Sequence, residues 1–465
     1  MFLQIDKVDP RRTVVVENDG SKFSYGTLVD FCNEMQEKVP ERSLVFSLCR
    51  NSFGSLAGYA AFLSGRVVPL LLSAELDREL LEYLLDTYQP DYLWLPEDSE
   101  AACFGKCIWK KYNYMLVEYS QKPKKMADEL ALLLTTSGST GSPKLVRQSY
   151  KNIEENARSI IQYLELDETE RAITMLPMNY TYGLSVINSH LLAGAVVLMT
   201  ESSYVQRAFW DFFKKEQATS IVGVPYTYEL LKRFRFFQME LPSLRYMTQA
   251  GGKLLPELHK EFAEYAEQKG KRFFVMYGQT EATARMSYLP YEKSLEKYGS
   301  MGIAIPGGEF HLMDVDGSKI DRPHVTGELV YEGANVTLGY AECLGDLAKG
   351  DERHGVLVTG DMAQMDEDGY YYIVGRKKRF LKIYGNRVNL DECERMIQGY
   401  FEGVECACVG VDDHMKIYIT QGDLMEKVRH FLAEKTGLNP NAFEVDFIGE
   451  IPKNESGKKL YSQFE

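Results

Sequence analysis

The sequence predicts an α/β protein: a large N-terminal body of doubly wound, mainly parallel sheets with a small β unit, then a smaller α+β C-terminal domain. Three observations lead there. Strand-length apolar runs alternate with helix-length segments as far as Tyr277, which implies crossover connections. From residue 299 to 374 the pattern changes to short alternating strands, with Asp316-Gly317 and Asp368-Gly369 as hairpin signals. After Gly375 a compact strand, helix, hairpin, helix, strand succession follows. The basic run Arg376-Lys377-Lys378-Arg379 opens it, so domains of 1–376 and 377–465 are expected. A chain of 465 residues is too long for one ordinary core.

In order, Phe23-Ser24-Tyr25-Gly26-Thr27-Leu28 reads as a turn into a helix reaching residue 37. Strands are expected at 44–48, 67–72 and 92–95, with helices at 55–64 and 80–88 between them. Ala131-Leu132-Leu133-Leu134 reads as a buried strand and Leu145-Val146 as the next. Helices follow at 151–164, 184–192, 210–216 and 256–268, interleaved with strands at 172–176, 195–199, 220–224, 246–249 and 273–277. In the last part, helices are expected at 390–398 and 424–434, and strands at 404–410, 416–421 and 444–448.

Composition narrows the function. Hydrophobic content of 45% and a net charge of −14 describe a globular acidic chain. Non-specific binding to nucleic acid or an anionic membrane is therefore disfavoured. Residues 1–21 are charged throughout, so no cleavable signal is expected, and no apolar run is long enough to span a bilayer. The eight cysteines are scattered without histidines in ligand spacing, which fits the reduced thiols of a cytoplasmic protein.

Four stretches could carry chemistry. Thr136-Ser137-Gly138-Ser139-Thr140-Gly141-Ser142-Pro143-Lys144 joins two strands. Its glycines permit positive φ, its amides can form an anion nest, and its hydroxyls and Lys144 add donors and charge, so a polyphosphate is the natural guest. A Gly/Ser loop is usually only a loop, but an apolar strand before it and a lysine at its end favour phosphate. Tyr277-Gly278-Gln279-Thr280-Glu281 ends a strand, where ligands of open α/β sheets bind. There Tyr277 offers a flat face for a base and Glu281 an oxygen ligand for Mg²⁺. The plain alternative is a Tyr-Gly turn before a helix capped by Thr280. Asp361, in Val358-Thr359-Gly360-Asp361, can accept from two ribose hydroxyls or merely close its own turn. Pro452-Lys453-Asn454-Glu455-Ser456-Gly457-Lys458-Lys459 is either a functional loop or a basic tail.

In this order and spacing the motifs resemble one family over nearly the whole chain: the adenylate-forming superfamily of acyl-CoA synthetases, peptide-synthetase adenylation domains and luciferases. The stretches 136–144, 277–281, 359–361, 375–387 and 456–458 carry the resemblance. It implies a two-step ligase in which a carboxylate attacks the α-phosphate of ATP, pyrophosphate leaves, and a thiol captures the acyl-adenylate. It further implies that the small C-terminal domain moves between the steps. By the same resemblance, the loop holding Thr136, Ser137, Gly138, Ser139, Thr140, Gly141 and Lys144 would bind the β- and γ-phosphates. Tyr277 and Gly278 would meet adenine, with Gly251 and Gly252 in the same slot. Thr280 would meet the α-phosphate and Glu281 the Mg²⁺. Asp361 would take the ribose, supported by Arg376. Lys458 would bridge carboxylate and α-phosphate. Lys378 falls at the hinge, and Gly385 where a pantetheine arm passes.

Departures from the family pattern carry information. Pro177-Met178-Asn179 is followed by Tyr180 where many acyl-CoA synthetases have histidine. Thr181 stands where amino-acid-activating domains place aspartate, so an α-amino acid is disfavoured. Lys378 replaces a commoner aspartate, and Val356 a frequent tryptophan. Tyr180, Tyr182, Val224, Ala250 and Arg285 are expected to wall the acyl pocket, with Ser185 and Arg285 as its polar end. A small, polar or aromatic carboxylic acid is thereby favoured over a long fatty chain, against the alternative of ordinary aromatic packing. CoA and the phosphopantetheine of an acyl carrier protein compete as acceptors, and Arg379, Lys382 and Arg387 could form a landing patch for the carrier. An enzyme that stops at the adenylate, and a non-catalytic nucleotide sensor, are the alternatives.

Overall fold

A computed structural model describes residues 1–120, 122–135, 144–314, 316–384, 386–453 and 459–464, with backbone alone for Lys378, Lys382, Asn386, Arg387 and Ser462. The chain divides into two compact units, 1–309 with 331–357, and 310–330 with 358–465.

The first unit contains two large sheets. One runs, edge to edge, through Gly339–Ala341, Leu145–Ser149, Leu130–Thr135, Val68–Ser73, Leu44–Cys49, Tyr92–Pro96, Tyr114–Glu118 and Lys106–Lys111. Its middle strands pair parallel and are buried along nearly their whole length, as strands covered on both faces must be. The other sheet has nine strands. Its parallel centre places Arg171–Thr174, Ser220–Gly223, Tyr246–Gln249 and Arg272–Tyr277 side by side. Their carboxyl ends lead into Tyr180, Val224, Ala250 to Gly252, and Gly278. That arrangement gathers the expected adenine slot and acyl wall at one edge of one sheet, where such folds bind ligands.

Helix starts follow their caps. Ser24 accepts from the Thr27 amide at the head of Tyr25–Gln36, and Ser149 with Asn152 forms a capping box for Tyr150–Leu164.

In the second unit both Asp-Gly hairpins are present. The Asp366 amide donates to the Tyr370 carbonyl at 3.0 Å, closing the turn between Val356–Met365 and Tyr371–Arg376. The Asp314 amide donates to the Ser318 carbonyl at 2.9 Å in the other. Further along, Leu390–Tyr400 and Met425–Thr436 pack on a three-stranded sheet of Cys406–Val411, His414–Ile419 and Phe443–Phe447. Ile397, Cys406, Cys408, Ile417, Val428 and Leu432 form its core.

The expected α/β body with a smaller α+β part is therefore the fold. Several elements were not expected, the buried strand Thr13–Glu17 among them. The hairpin Lys106–Lys111 and Tyr114–Glu118 begins with a lysine-rich, largely exposed edge strand that lacks an apolar signal. The helix Pro225–Arg233 begins with proline, which reads as a break but is well suited to a first helical turn. The hairpin Phe380–Ile383 and Asn386–Asn389 adds a pair of strands before the first C-terminal helix. Thr280 does not cap a long helix; Thr280–Ala282 is a single 3₁₀ turn. No helix among the described residues is long and apolar enough to cross a membrane. All eight cysteines are free thiols.

Candidate active site

Glu281 is the centre of a polar cluster in the first unit. The Tyr340 hydroxyl donates to Glu281 Oε1 at 2.6 Å. The Glu281 carbonyl accepts from the Thr337 amide and hydroxyl, at 3.0 and 2.9 Å, and from Arg353 Nη1 at 3.0 Å. Backbone and one carboxylate oxygen are thus both held. The Arg353 guanidinium lies 4.7 Å above the Tyr340 ring, and Lys144 Nζ sits 5.8 Å from that ring while pairing with Glu342 at 2.7 Å. The Lys144–Glu342 pair is more than half exposed, so it holds the lysine only loosely. Burial, then the charge of Glu281, raises the Tyr340 phenol to about 12, so it remains a donor at neutral pH.

The segment from Gly278 to Arg285 turns sharply back on itself. A Cβ on Gly278 would lie 1.6 Å from the Ala284 carbonyl oxygen, so only glycine fits. Thr283 and Ala284 both have positive φ, 64° and 151°. Such backbone persists only where its surroundings enforce it. Asn335 does so here. Its Nδ2 donates to the carbonyls of Ala282 and Arg285, at 2.8 and 3.2 Å, and its own carbonyl accepts from the Thr283 hydroxyl at 2.6 Å. Asn156 Nδ2 adds a bond to the Arg285 carbonyl at 2.8 Å.

Next to this turn, Tyr180 and Tyr182 head the helix Thr181–Leu192. Gly251 has φ of 81°, and a Cβ there would meet the Tyr180 hydroxyl at 2.5 Å and Val224 at 3.2 Å. Tyr180 and Tyr182 meet edge to face at 6.4 Å, and the Arg285 guanidinium lies 5.2 Å from the Tyr182 ring. Tyr182 donates to the Thr248 carbonyl at 2.9 Å. One continuous wall therefore runs from Gly251 through Tyr180 and Tyr182 to Arg285, with Val224 and Ala250 buried beside it. The Thr181 hydroxyl donates to the Thr283 carbonyl at 3.2 Å, so the position presents no carboxylate to an α-ammonium group.

Tyr277 ends its strand and accepts from Gln279 Nε2 at 3.1 Å, and Gly252 receives Gln249 Nε2 at 2.9 Å. Tyr277, Gly278, Thr280, Glu281, Gly251, Gly252, Tyr180, Tyr182, Val224, Ala250 and Arg285 thus share one region of the first unit. The second unit carries Asp361, whose Oδ1 accepts from Arg376 Nε at 2.7 Å across paired strands. Thr359 fixes the approach, accepting from the Asp361 amide at 3.0 Å and donating to Leu329 at 2.8 Å. Thr136, Ser137, Gly138, Ser139, Thr140, Gly141, Gly385 and Lys458 lie outside the described residues, as does the side chain of Lys378.

One expectation is corrected. Arg379 cannot join a landing patch: it is largely buried, with Nε on Asp391 at 2.8 Å and Nη2 on Glu394 at 2.6 Å. Tyr340, Arg353 and Asn335 were missed by the sequence reading. Gly339-Tyr340 offers no signal of its own, because its partner is 59 residues away.

The donor set suits Mg²⁺. Among the described residues Glu281 Oε2 has no partner, and no cluster of three or more ligating side chains occurs. A single carboxylate completed by substrate phosphates is how this ion is usually held.

Comparison with known proteins agrees. The family described as AMP-binding enzyme matches residues 4–341. The 2-succinylbenzoate–CoA ligase of Bacillus pumilus (strain SAFR-032) is 25% identical over 97% of this chain and 94% of its own length. A feruloyl-CoA synthase of Amycolatopsis sp is 30% identical over 62% of this chain and 57% of its own length. The O-succinylbenzoate coenzyme A synthetase of Bacillus subtilis, solved in complex with AMP, superposes with a TM-score of 0.81 at 21% identity, covering 100% of this chain and 97% of that one. With its family match spanning most of the chain and its motifs in family order, this protein belongs to the AMP-binding enzyme family of ATP-dependent, adenylate-forming ligases.

Proposed function

We propose that the protein is a carboxylate–thiol ligase that makes an acyl-AMP and passes the acyl group to CoA. The observation that carries this reading is the Glu281 cluster: a carboxylate fixed by Tyr340 at the carboxyl edge of the sheet, beside a buried aromatic wall. In the first step a substrate carboxylate oxygen attacks the α-phosphorus and the bond to pyrophosphate breaks. In the second a thiolate attacks the acyl carbon and AMP leaves. Two anions must meet in the first step, so neutralisation and positioning supply most of the rate. Mg²⁺ held by Glu281 would offset phosphate charge. Tyr277, Gly278, Gly251 and Gly252 would bind adenine, Thr280 the α-phosphate, and Asp361 with Arg376 the ribose. The loop from Thr136 to Lys144 would take the outer phosphates, and Lys458 the reacting oxygens. The domain boundary is placed at 376/377, with Lys378 as hinge and Gly385 on the pantetheine path. Arg379, bound to two carboxylates, gives no support to a carrier-protein landing patch, which favours CoA. The relatives named for 2-succinylbenzoate and feruloyl substrates both act on acids with an aromatic ring, which supports a compact acid here.

Pyrophosphate release across an acid library, with ATP and Mg²⁺, tests adenylation, and hydroxylamine trapping without thiol reports the adenylate. Lys458→Ala should lose about 100-fold or more in adenylation while sparing thioester formation from supplied acyl-AMP. Equal loss in both half-reactions would remove the role given to Lys458.

A further inference from the structure

Two arginines are buried among the described residues, Arg147 and Arg285. Arg147 follows the usual rule: its Nη2 pairs with Glu352 at 2.5 Å and its remaining donors meet backbone carbonyls. Arg285 does not. It is 3% exposed, and no carboxylate of the described residues pairs with it. Nε donates to the Ser185 hydroxyl at 3.1 Å, and Nη1 to the Tyr163 hydroxyl at 3.0 Å and the Met276 sulfur at 3.5 Å. Nη2 makes no hydrogen bond with the described residues.

The surroundings are neutral on every side. Ser185 donates its one proton onward to the Tyr182 carbonyl at 2.7 Å, so towards Arg285 it can only accept. On the same helix as Ser185, His190 donates from Nδ1 to the Val186 carbonyl at 2.7 Å and accepts at Nε2 from Tyr246 at 3.1 Å. Burial lowers the His190 pKa to about 4, so this imidazole is uncharged at neutral pH. A guanidinium cannot discard its proton, so the charge persists in a site that lacks an anion. A buried charge with only neutral partners is costly, and proteins that retain one usually hold it for a ligand. The position fits that use. Arg285 closes the far end of the wall that begins at Gly251 and Tyr180, four residues beyond Glu281 in the chain and held by the same Asn335 clamp.

We infer that the acid activated by this protein is a dicarboxylic acid, and that Arg285 binds the carboxylate that does not react. This rests on the ligase reading above. The carboxylate nearer Glu281 is adenylated; the distal one pairs with the guanidinium, which lies 5.2 Å from the Tyr182 ring. An alkyl tail would leave the charge uncompensated, and an ammonium group would be repelled, so fatty acids and α-amino acids are excluded by the same residue.

The test is pyrophosphate release with ATP, Mg²⁺ and straight-chain dicarboxylates of increasing length, together with phthalate and homophthalate, each beside its monomethyl ester. At the best length the diacid should exceed its half-ester by about 100-fold in kcat/KM, as expected where a built polar site loses its partner. Arg285→Gln should bring that ratio close to one, chiefly by raising KM for the diacid, and Arg285→Lys should restore part of it. If the glutamine variant fails to fold, the wild-type ratio decides alone. Half-esters or simple monoacids used as well as diacids would overturn the assignment of Arg285 while leaving the ligase reading intact. Failure of every acid to release pyrophosphate would instead remove the ligase reading, and this inference with it.

Discussion

Tyr340 is the residue on which the geometry of Glu281 depends. A carboxylate at a strand end is free to rotate, and the 2.6 Å bond from the phenol restricts it to one orientation. The hydroxyl cannot be lost to ionisation near neutrality, since burial and the neighbouring carboxylate push it to about 12. Replacing Tyr340 by Phe keeps the ring beneath Arg353 and removes only that bond. A charged-group hydrogen bond of this kind contributes about 1.5–3 kcal/mol. The Tyr340→Phe protein should therefore fold, show about a tenfold or greater fall in adenylation at limiting Mg²⁺, and need more Mg²⁺ for half-maximal rate. A Mg²⁺ titration of pyrophosphate release measures this, and an unchanged midpoint would mean that the tyrosine merely fills space.

At the scale of the element, the turn from Gly278 to Arg285 serves two ends at once. It carries both Glu281, proposed to face the nucleotide, and Arg285, proposed to line the acyl site, so one clamp sets the spacing between them. The positive φ at Thr283 and Ala284 shows that this course is not the one the backbone would choose unaided. Asn335 supplies two donors and one acceptor to it and is 3% exposed. Asn335→Ala leaves the Ala282 carbonyl without its partner and the Arg285 carbonyl with Asn156 alone, at about 1–3 kcal/mol. The expected outcome is a lower melting temperature together with a loss of both ATP and acid affinity. If only one substrate were affected, the turn would not act as a unit.

For the whole molecule, two buried histidines contribute to the response to acid. His190 and His259 are each lowered from 6.5 to about 4, chiefly by burial. Their bonds agree: His259 Nδ1 accepts from the Gly299 amide at 3.0 Å, and His190 Nε2 accepts from Tyr246. Both acceptor atoms would be lost on protonation. The unfolded chain takes up these protons near pH 6.5 and the folded chain only near pH 4, so stability is complete above 6.5 and falls as the pH drops through that window. Each group contributes up to about 3 kcal/mol across it. Denaturant titrations at pH 7 and pH 4.5 should show the loss, and His190→Asn should flatten the slope by the share of one histidine. Acid stability equal to that at pH 7 would contradict the assignment.

How much could be read without coordinates follows from how far each signal reaches. Apolar period, Asp-Gly turns and short motifs are local, and they were sufficient for the α/β body, the β unit, the C-terminal α+β part and the identity of Tyr277, Glu281 and Asp361 as candidates. Edge strands such as Lys106–Lys111 carry no apolar pattern and were not visible. Partnership is not local at all. Tyr340 meets Glu281, and Asn335 meets Thr283 and Arg285, only because separate strands and turns converge, 59, 52 and 50 residues apart. The same holds for burial and charge balance. Arg285 and Arg379 read alike as cations in the sequence. Folding gives Arg379 two carboxylates and gives Arg285 hydroxyls and an aromatic face, because electrostatic compensation depends on what the rest of the chain brings within a few ångströms.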